Sequence, residues 1–326
     1  MAMLLKIFKL VACLHLGEAA VECEQDDVGF IQRRDRAASC ADPLPWPCGD
    51  ATLSKFPLQA INKNKNKCKE GGSDICVLNP KNGDYVPVCH IPNVCLNACG
   101  VSPKDGQMYC QAWGHDGRKK RQLVQVNCPY SHVKEVLDAG GDLDEVQAKE
   151  GSVCYYGNIT SSFAAAFDPE DGRFLWRAGK KILALPHSDL LSFTGSPEPA
   201  LSERQVLDAE IEVRTDVKGI GVADFVVVNV DLNNDKGKQK YLVGCNGQKV
   251  QCVPLSSGDP MVTLTMQGSY PSGSSGAQWA FGDDVFCAYN NGEDGVIQAG
   301  GCRRVLLTNP FSASGRAAIA KFGQVL

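Results

Sequence analysis

The sequence contains few of the residues that build common enzyme active sites. It has 5 histidines, and only 7% of its residues are aromatic. No Gly-x-Ser-x-Gly or His-Glu-x-x-His motif occurs, so the sequence shows no set of catalytic residues for acyl transfer by a serine or for hydrolysis by a zinc enzyme. The chain has no Cys-x-x-Cys pair and no His-x₃₋₅-His pair, which argues against a zinc site. Gly219-Ile-Gly221 lacks the third glycine of a dinucleotide loop. We predict no metal site and no cofactor.

Long apolar runs and an excess of basic residues are also missing. After the first residues, no segment approaches the roughly 18 uninterrupted apolar residues that a membrane-spanning helix needs. The net charge is −4 and the pI is about 5.8, which argues against nucleic acid or an anionic membrane as the main partner. With 326 residues and 44% hydrophobic content, the chain is long enough for about two domains with a real core.

The first 19 residues have the form of a secretory signal peptide. Lys6 and Lys9 supply the positive part, Leu10 to Leu16 the short apolar part, and small residues precede a cleavage point after Ala19. We therefore predict a secreted, extracellular protein. Export also decides how the cysteines are interpreted, because disulfides persist in oxidising compartments.

Cysteines are abundant and unevenly distributed. Removing Cys13 with the signal peptide leaves 15 of the 16, so one is unpaired or joined to another chain. Seven lie between residues 68 and 128, whereas the second half has only four, which we expect to pair among themselves. Those four are Cys245, Cys252, Cys287 and Cys302. The crowded stretch is interpreted as a disulfide-stapled module.

Part of this stretch resembles a known inhibitor family. Tyr85-Val-Pro-Val-Cys89, followed by Asn93-Val-Cys95-Leu-Asn-Ala-Cys99, is similar to the motif of Kazal protease inhibitors. The resemblance covers at most Cys68 to Cys110. It implies an inhibitory loop in which the residue two places after the second cysteine, Leu78, enters the primary pocket of a chymotrypsin-like or subtilisin-like serine protease. The loop residues that it implies are Cys76, Leu78, Asn79, Tyr85 and Cys89.

Two modification sites are indicated outside this motif. Arg118-Lys-Lys-Arg121 has the form cut by furin-like processing proteases, although an uncut basic loop is the equal alternative. Asn158-Ile-Thr160 is the only N-glycosylation sequon, and it predicts a glycoprotein with this segment at the surface.

The remaining pattern is mainly that of β-strands. Residues 131–140 predict a short helix, with Ser131 as its cap and Gly140 at its end. Asp168-Pro-Glu-Asp-Gly172 and the following Arg173-Phe-Leu-Trp-Arg177 resemble one propeller-blade repeat, but no second copy occurs, so no propeller is predicted. Further candidate strands recur at 210–213, 223–232, 239–245, 249–255, 261–266, 278–281, 285–289, 296–299 and 304–308.

We therefore predict a small disulfide-rich N-terminal region followed by a mainly β C-terminal domain of antiparallel sandwich or jelly-roll type. The predicted divisions are a signal peptide (1–19), a disulfide-rich region (20–128) with a Kazal-like part (68–110), a short helical connector (129–154), a β-rich domain (155–310) and a tail (311–326).

The function predicted from these features is extracellular binding, with protease inhibition as its specific form. The alternative is a carbohydrate-binding protein or glycoside hydrolase that acts through the β-rich domain. Its candidate groups are a stacking Trp279 and the turn carboxylates Asp283, Asp284, Glu293 and Asp294. The predicted partner is accordingly an extracellular protein or a glycan.

Overall fold

The computed structural model describes residues 56–63, 68–78, 85–113, 121–192, 195, 211–214, 217, 224–230, 238–246, 249–256, 258–265, 275–281, 284–289 and 304–306. The first elements along the chain are β1 (Leu58–Asn62), α1 (Cys68–Gly71), β2 (Ser73–Leu78), β3 (Tyr85–Ile91), β4 (Cys95–Val101), β5 (Met108–Trp113), β6 (Arg121–Asn127) and α2 (Ser131–Asp138). A 3₁₀ turn at Leu143–Glu145 follows, and then come β7 (Lys149–Glu150), β8 (Ser152–Ile159), β9 (Ala165–Phe167), β10 (Phe174–Ala178), β11 (Lys181–Leu185) and α3 (His187–Ser192). The last elements are β12 (Ile211–Arg214), β13 (Val226–Val230), β14 (Gln239–Asn246), β15 (Lys249–Pro254), β16 (Val262–Thr265), β17 (Ser275–Phe281), β18 (Asp284–Tyr289) and β19 (Arg304–Leu306).

The strands form small sheets whose order follows the chain. Four sheets have four strands each, ordered β1-β2-β3-β7, β4-β5-β6-β8, β9-β10-β11-β12 and β13-β14-β15-β16. All described pairings in them are antiparallel except that of β3 with β7. A three-stranded sheet, β17-β18-β19, comes last.

These sheets are arranged as the blades of a β-propeller. The first strand of each sheet lies at one end of its strand order, and successive first strands contact each other, β1 with β4, β4 with β9, and β9 with β13. Four blades result, and β17 of the last sheet continues the series beside β13. In a propeller, short sheets are repeated around a centre so that only short edges remain.

The predicted N-terminal disulfide module with a β-sandwich behind it is therefore wrong. The cysteine-rich stretch, residues 68–128, contains β2 to β6 of the first two blades. The first blade also includes β1 and β7 from outside this stretch, and the second blade is completed by β8, which pairs with β6. Strands such as β5 are buried at nearly every position, so their side chains do not alternate between polar and apolar. Without this alternation, a short strand gives little periodic signal.

The core lies between neighbouring blades. One buried cluster joins the first and second blades, for example through Val88 and Val124, and includes Val133 of α2. A second cluster joins the second and third blades through Tyr109, Phe174 and Trp176. A third cluster joins the third and fourth blades. Each blade thus buries its apolar side chains against the next blade, which is why the sheets are stable although they are small.

Two disulfides reinforce this arrangement. Cys89 on β3 is bonded to Cys128 after β6, which ties the first blade to the second. Cys99 on β4 is bonded to Cys110 on β5 within the second blade. The expectation that the four later cysteines pair among themselves does not hold for Cys252, which is a buried free thiol.

Within the described ranges, no helix is both long enough and apolar enough to cross a bilayer.

Candidate functional site

The most distinctive surface feature is an arginine placed between two aromatic rings. The guanidinium carbon of Arg121 lies 3.9 Å from the ring centroid of Trp113 and 4.8 Å from that of Phe163. The two rings meet edge to face, with their centroids 6.3 Å apart. Phe163 is 64% exposed, which is unusual for so large an apolar side chain. We call these three residues the aromatic platform.

The ladder of the second blade places two members of the platform. Trp113 ends β5 and Arg121 begins β6, one step beyond the pair formed by Ala112 and Gln122. Directly opposed side chains on antiparallel strands lie about 5 Å apart, so this register brings the arginine over the indole.

A buried glutamine holds the third member in place. Gln111 is fully buried; its Nε2 donates to the carbonyl of Thr160 at 3.3 Å, and its Oε1 accepts from the N–H of Ser162 at 2.8 Å. The hydroxyl of Ser162 donates to the carbonyl of Ala164 at 2.7 Å. These bonds fix the connection between β8 and β9, so Phe163 is presented outward on a rigid loop. A binding surface that is already ordered loses little entropy when it binds.

The charge of the platform has no acidic partner. Arg121 contacts the two rings, and within the described part of the chain no carboxylate lies within 4 Å of its guanidinium. Its Nη1 is enclosed without a hydrogen-bond acceptor among these residues. Burial lowers the pKa of Arg121 from its ordinary value. The site therefore holds a partly desolvated cation between two π faces.

A cavity of about 510 Å³ adjoins the platform along the chain. Two of its lining residues, Thr160 and Ser161, belong to the loop that carries Phe163. At its rim, Lys181 on β11 forms an ion pair with Glu212 on β12. The described residues that line it are Thr160, Ser161, Ala178, Gly179, Lys181, Leu183 and Glu212. We call this the side cavity. Its mixture of hydroxyl, charged and apolar groups suits a polar ligand.

A second cavity, of about 730 Å³, lies beside α2. His132 lines it and is only 7% exposed, and both ring nitrogens are enclosed with no hydrogen-bond partner among the described residues. The charged lining side chains, Glu135, Glu145 and Lys149, are exposed. We call this the α2 cavity. Because the imidazole nitrogens are enclosed, a ligand in this cavity does not reach them.

The residues of the predicted inhibitory loop lie mostly inside the first blade. Leu78 is 1% exposed and pairs with Tyr85 across β2 and β3. Cys76 and Cys89 are also buried, and Asn79 lies outside the described residues. A protease pocket does not reach Leu78 in this conformation. Protease inhibition stays a prediction, and no exposed loop in the described ranges supports it.

Two of the three residues predicted as modification sites, Asn158 and Arg121, lie in the described part of the chain. Asn158 is 9% exposed, and its Oδ1 accepts from Nε2 of Gln122 at 3.4 Å. Arg118 lies outside the described residues, whereas Arg121, the predicted cleavage residue, is the cation of the aromatic platform. Glycosylation and cleavage stay predictions.

Two of the residues predicted for a glycan site lie on neighbouring strands of the last sheet, Trp279 on β17 and Asp284 on β18. Asp283, Glu293 and Asp294 lie outside the described residues, so this site stays a prediction. In the part of the chain that is described, no group of three or more histidine, cysteine, aspartate or glutamate side chains is placed to hold a metal ion.

Comparison with known proteins adds one structure. No protein-family model matches the chain, and no curated protein matches it. The chain is similar to the PQQ-bound form of aldose sugar dehydrogenase from Streptomyces coelicolor, with 14% identity over 78% of this chain and 77% of that chain. The TM-score is 0.36, and a likeness at this level carries no argument about fold or function.

Proposed function

We propose that this chain is a secreted binding protein that holds a carbohydrate on the aromatic platform. The observation that carries the proposal is the exposed ring of Phe163, which the buried Gln111 network holds beside Trp113 and a polar cavity. The apolar C–H face of a sugar ring packs on such an aromatic ring, while neighbouring hydroxyl and charged groups bind the sugar hydroxyls. Thr160, Ser161 and Glu212 in the side cavity offer groups of this kind.

The cysteines support an extracellular location. Cys89 with Cys128 and Cys99 with Cys110 form bridges between and within blades, and disulfide bridges persist in oxidising compartments. This agrees with the predicted signal peptide, and extracellular surfaces are rich in glycans.

Binding is favoured over hydrolysis by the acidic groups at the site. Glycoside hydrolases generally use a pair of carboxyl groups on either side of the scissile bond. Among the described residues that line the side cavity, Glu212 is the single carboxylate, and it is already paired with Lys181. A glutamate neutralised in this way is a poor general acid or nucleophile.

The structure sets the size of the expected effect. Phe163 leaves 64% of its area in water, which is roughly 130 Å² for a side chain of about 200 Å². A sugar that covers one ring face removes about half of this area from water, which stabilises the complex by about 1.6 kcal/mol at ~25 cal/mol per Å². Phe163→Ala should therefore weaken binding by about 15-fold.

The test is a binding screen followed by calorimetry. The mature chain is screened against a panel of neutral and acidic oligosaccharides, and hits are measured with the wild type, Phe163→Ala and Leu191→Ala. Leu191 on α3 is 48% exposed, so its substitution is a matched control for the loss of an exposed apolar side chain. We expect Phe163→Ala to lose affinity while Leu191→Ala keeps it. No binding to any oligosaccharide, or equal loss in both variants, would contradict the proposal.

A further inference from the structure

We infer that the carbohydrate bound by the aromatic platform is acidic, and that Arg121 binds the carboxylate of a uronic acid residue. This inference rests on the proposed function and adds the class of ligand. The observation behind it is a guanidinium in contact with two rings and with no carboxylate beside it among the described residues.

The other arginines show that this situation is particular to Arg121. Side chains are described for three arginines. Arg173 lies 2.9 Å from a carboxylate oxygen of Asp171 and 3.4 Å from one of Asp168. The Nε of Arg177 donates to the carbonyl of Gly179 at 3.1 Å. Arg121 contacts two aromatic rings and, among the described residues, no carboxylate, so in the described part of the chain its guanidinium is left able to bind an anion.

Among the described residues that line the side cavity, the cationic group is already neutralised. Lys181, which lines the side cavity, is paired with Glu212. An incoming anion would therefore be attracted to Arg121 rather than to Lys181. The whole chain is acidic, with a net charge of −4, so it does not attract an acidic ligand over long distances. Binding of such a ligand therefore requires a local contact with Arg121.

The rings prepare the guanidinium for a carboxylate. They hold it at 3.9 and 4.8 Å from their centroids, which restricts its motion, and burial lowers the pKa of Arg121 because water is excluded. A guanidinium with few competing waters forms short, charge-assisted hydrogen bonds with a carboxylate.

A uronic acid fits both parts of the platform at once. Its ring offers a C–H face to an aromatic side chain, and its carboxylate is attached to the same ring, within reach of a neighbouring guanidinium. A neutral sugar uses only the ring contact. The platform thus predicts a preference for the charged form of one sugar over an uncharged form of the same size.

The experiment compares hexagalacturonate with its methyl ester, which has the same rings but no charge. Calorimetry is carried out with the mature wild-type chain, Arg121→Gln, Arg121→Lys and Lys134→Gln. Lys134 lies on α2, away from the platform, and is paired with Asp138, so Lys134→Gln is a control for the same change in net charge. We expect the wild type to bind the acid roughly tenfold or more tightly than the ester, since a hydrogen bond to a charged group has about this strength. Arg121→Gln should bind the acid and the ester about equally, Arg121→Lys should keep part of the preference, and Lys134→Gln should keep all of it.

Three outcomes would overturn the inference. The first is equal binding of acid and ester by the wild type, which leaves carbohydrate binding intact and needs no variant that might misfold. The second is an equal loss of acid and ester binding in Arg121→Gln, which would make the arginine a support for the rings. The third is binding of neutral oligosaccharides only. Absence of binding to every oligosaccharide would instead remove the proposed function itself.

Discussion

The contact between the third and fourth blades depends on a buried ion pair that a single substitution removes. Asp168 follows β9, and its side chain is 0% exposed. Nζ of Lys240 on β14 lies 2.9 Å from its Oδ2, and Nη2 of Arg173 lies 3.4 Å from the same oxygen. Lys240 also contacts Glu170 and Asp171, at 2.9 and 3.5 Å. Burial acts to lower the pKa of Lys240, but the hydrogen bonds that its ammonium donates to Asp168 and Glu170 raise it overall, because these carboxylates stabilise the charged form.

Lys240→Met should therefore destabilise the fold strongly. Removing one partner of a buried ion pair costs about 3–5 kcal/mol, because the remaining charge is left buried and uncompensated. Arg173 still lies beside Asp168 in the variant, so we expect about half of this loss, roughly 2 kcal/mol in the free energy of unfolding.

The assay is urea denaturation followed by tryptophan fluorescence, with Lys134→Met as the control. Lys134 and Asp138 form an exposed pair at 2.7 Å on α2, which should contribute about 0.5 kcal/mol or less. When Asp168 has already been replaced by asparagine, Lys240→Met should lower the free energy of unfolding by less than in the wild type, because no buried carboxylate is then left unpaired. Two results would contradict a stabilising role for this ion pair. The first is a loss in the free energy of unfolding that is no larger for Lys240→Met than for Lys134→Met, and the second is the same loss for Lys240→Met in the wild type and in Asp168→Asn.

Three further predictions follow from individual groups. Burial raises the pKa of Asp224 to about 8, although the N–H of Phe225 donates to its carboxyl at 2.9 Å. Between pH 3.8 and about 8, the folded chain therefore keeps a proton that the unfolded chain has released. The free energy of unfolding should fall by about 1.4 kcal/mol for each pH unit that is gained in this range, and Asp224→Asn should lack this slope. Burial also raises the pKa of the Cys252 thiol to about 12, so its peptide should be alkylated by iodoacetamide only in urea, and rapid native labelling would contradict the burial. If the chain is cut after Arg121, the disulfide between Cys89 and Cys128 still joins the two fragments. A non-reducing gel should then show one band and a reducing gel two bands. Separation of the fragments without a reductant would contradict that disulfide.

Elements with a local signal could be predicted from the sequence. The helix expected at 131–140 is α2, Ser131–Asp138, and Gly140 after it has φ of 80°, a conformation that suits glycine. The predicted cap was wrong, because Tyr130 occupies that position and no side chain caps the helix. Strands expected at 239–245 and 249–255 are observed as β14 and β15, since a turn signal at Asn246 separates them.

The blades could not be predicted because they depend on contacts between distant segments. The segment at 173–177 resembles one blade repeat and does contain β10, but the other blades lack a similar sequence and are recognised only by the contacts of their first strands. The cysteine-rich strands are buried at most positions and show little periodicity, which is why this stretch is interpreted from the sequence as a disulfide-stapled module.

The platform was missed for a related reason. The sequence indicates Arg121 only as a processing residue in a basic run, and it gives no signal that singles out Trp113 or Phe163. Trp113 and Arg121 meet through the register of β5 and β6, a short-range pattern that a hairpin prediction for 108–127 would have shown. The position of Phe163 depends on Gln111, which lies 51 residues from Ser162, and no sequence pattern indicates such a bond.

The most direct test of carbohydrate binding on the aromatic platform is a chemical-shift titration. The ¹⁵N-labelled mature chain is titrated with the oligosaccharide that binds best, and the indole N–H of Trp113 is assigned from the Trp113→Phe variant. We expect shifts in that indole signal and in the amides of Ser161, Ser162 and Phe163, with the α2 cavity unchanged. Shifts confined to the residues of the α2 cavity, or no change at the Trp113 indole when the protein is saturated, would contradict the account.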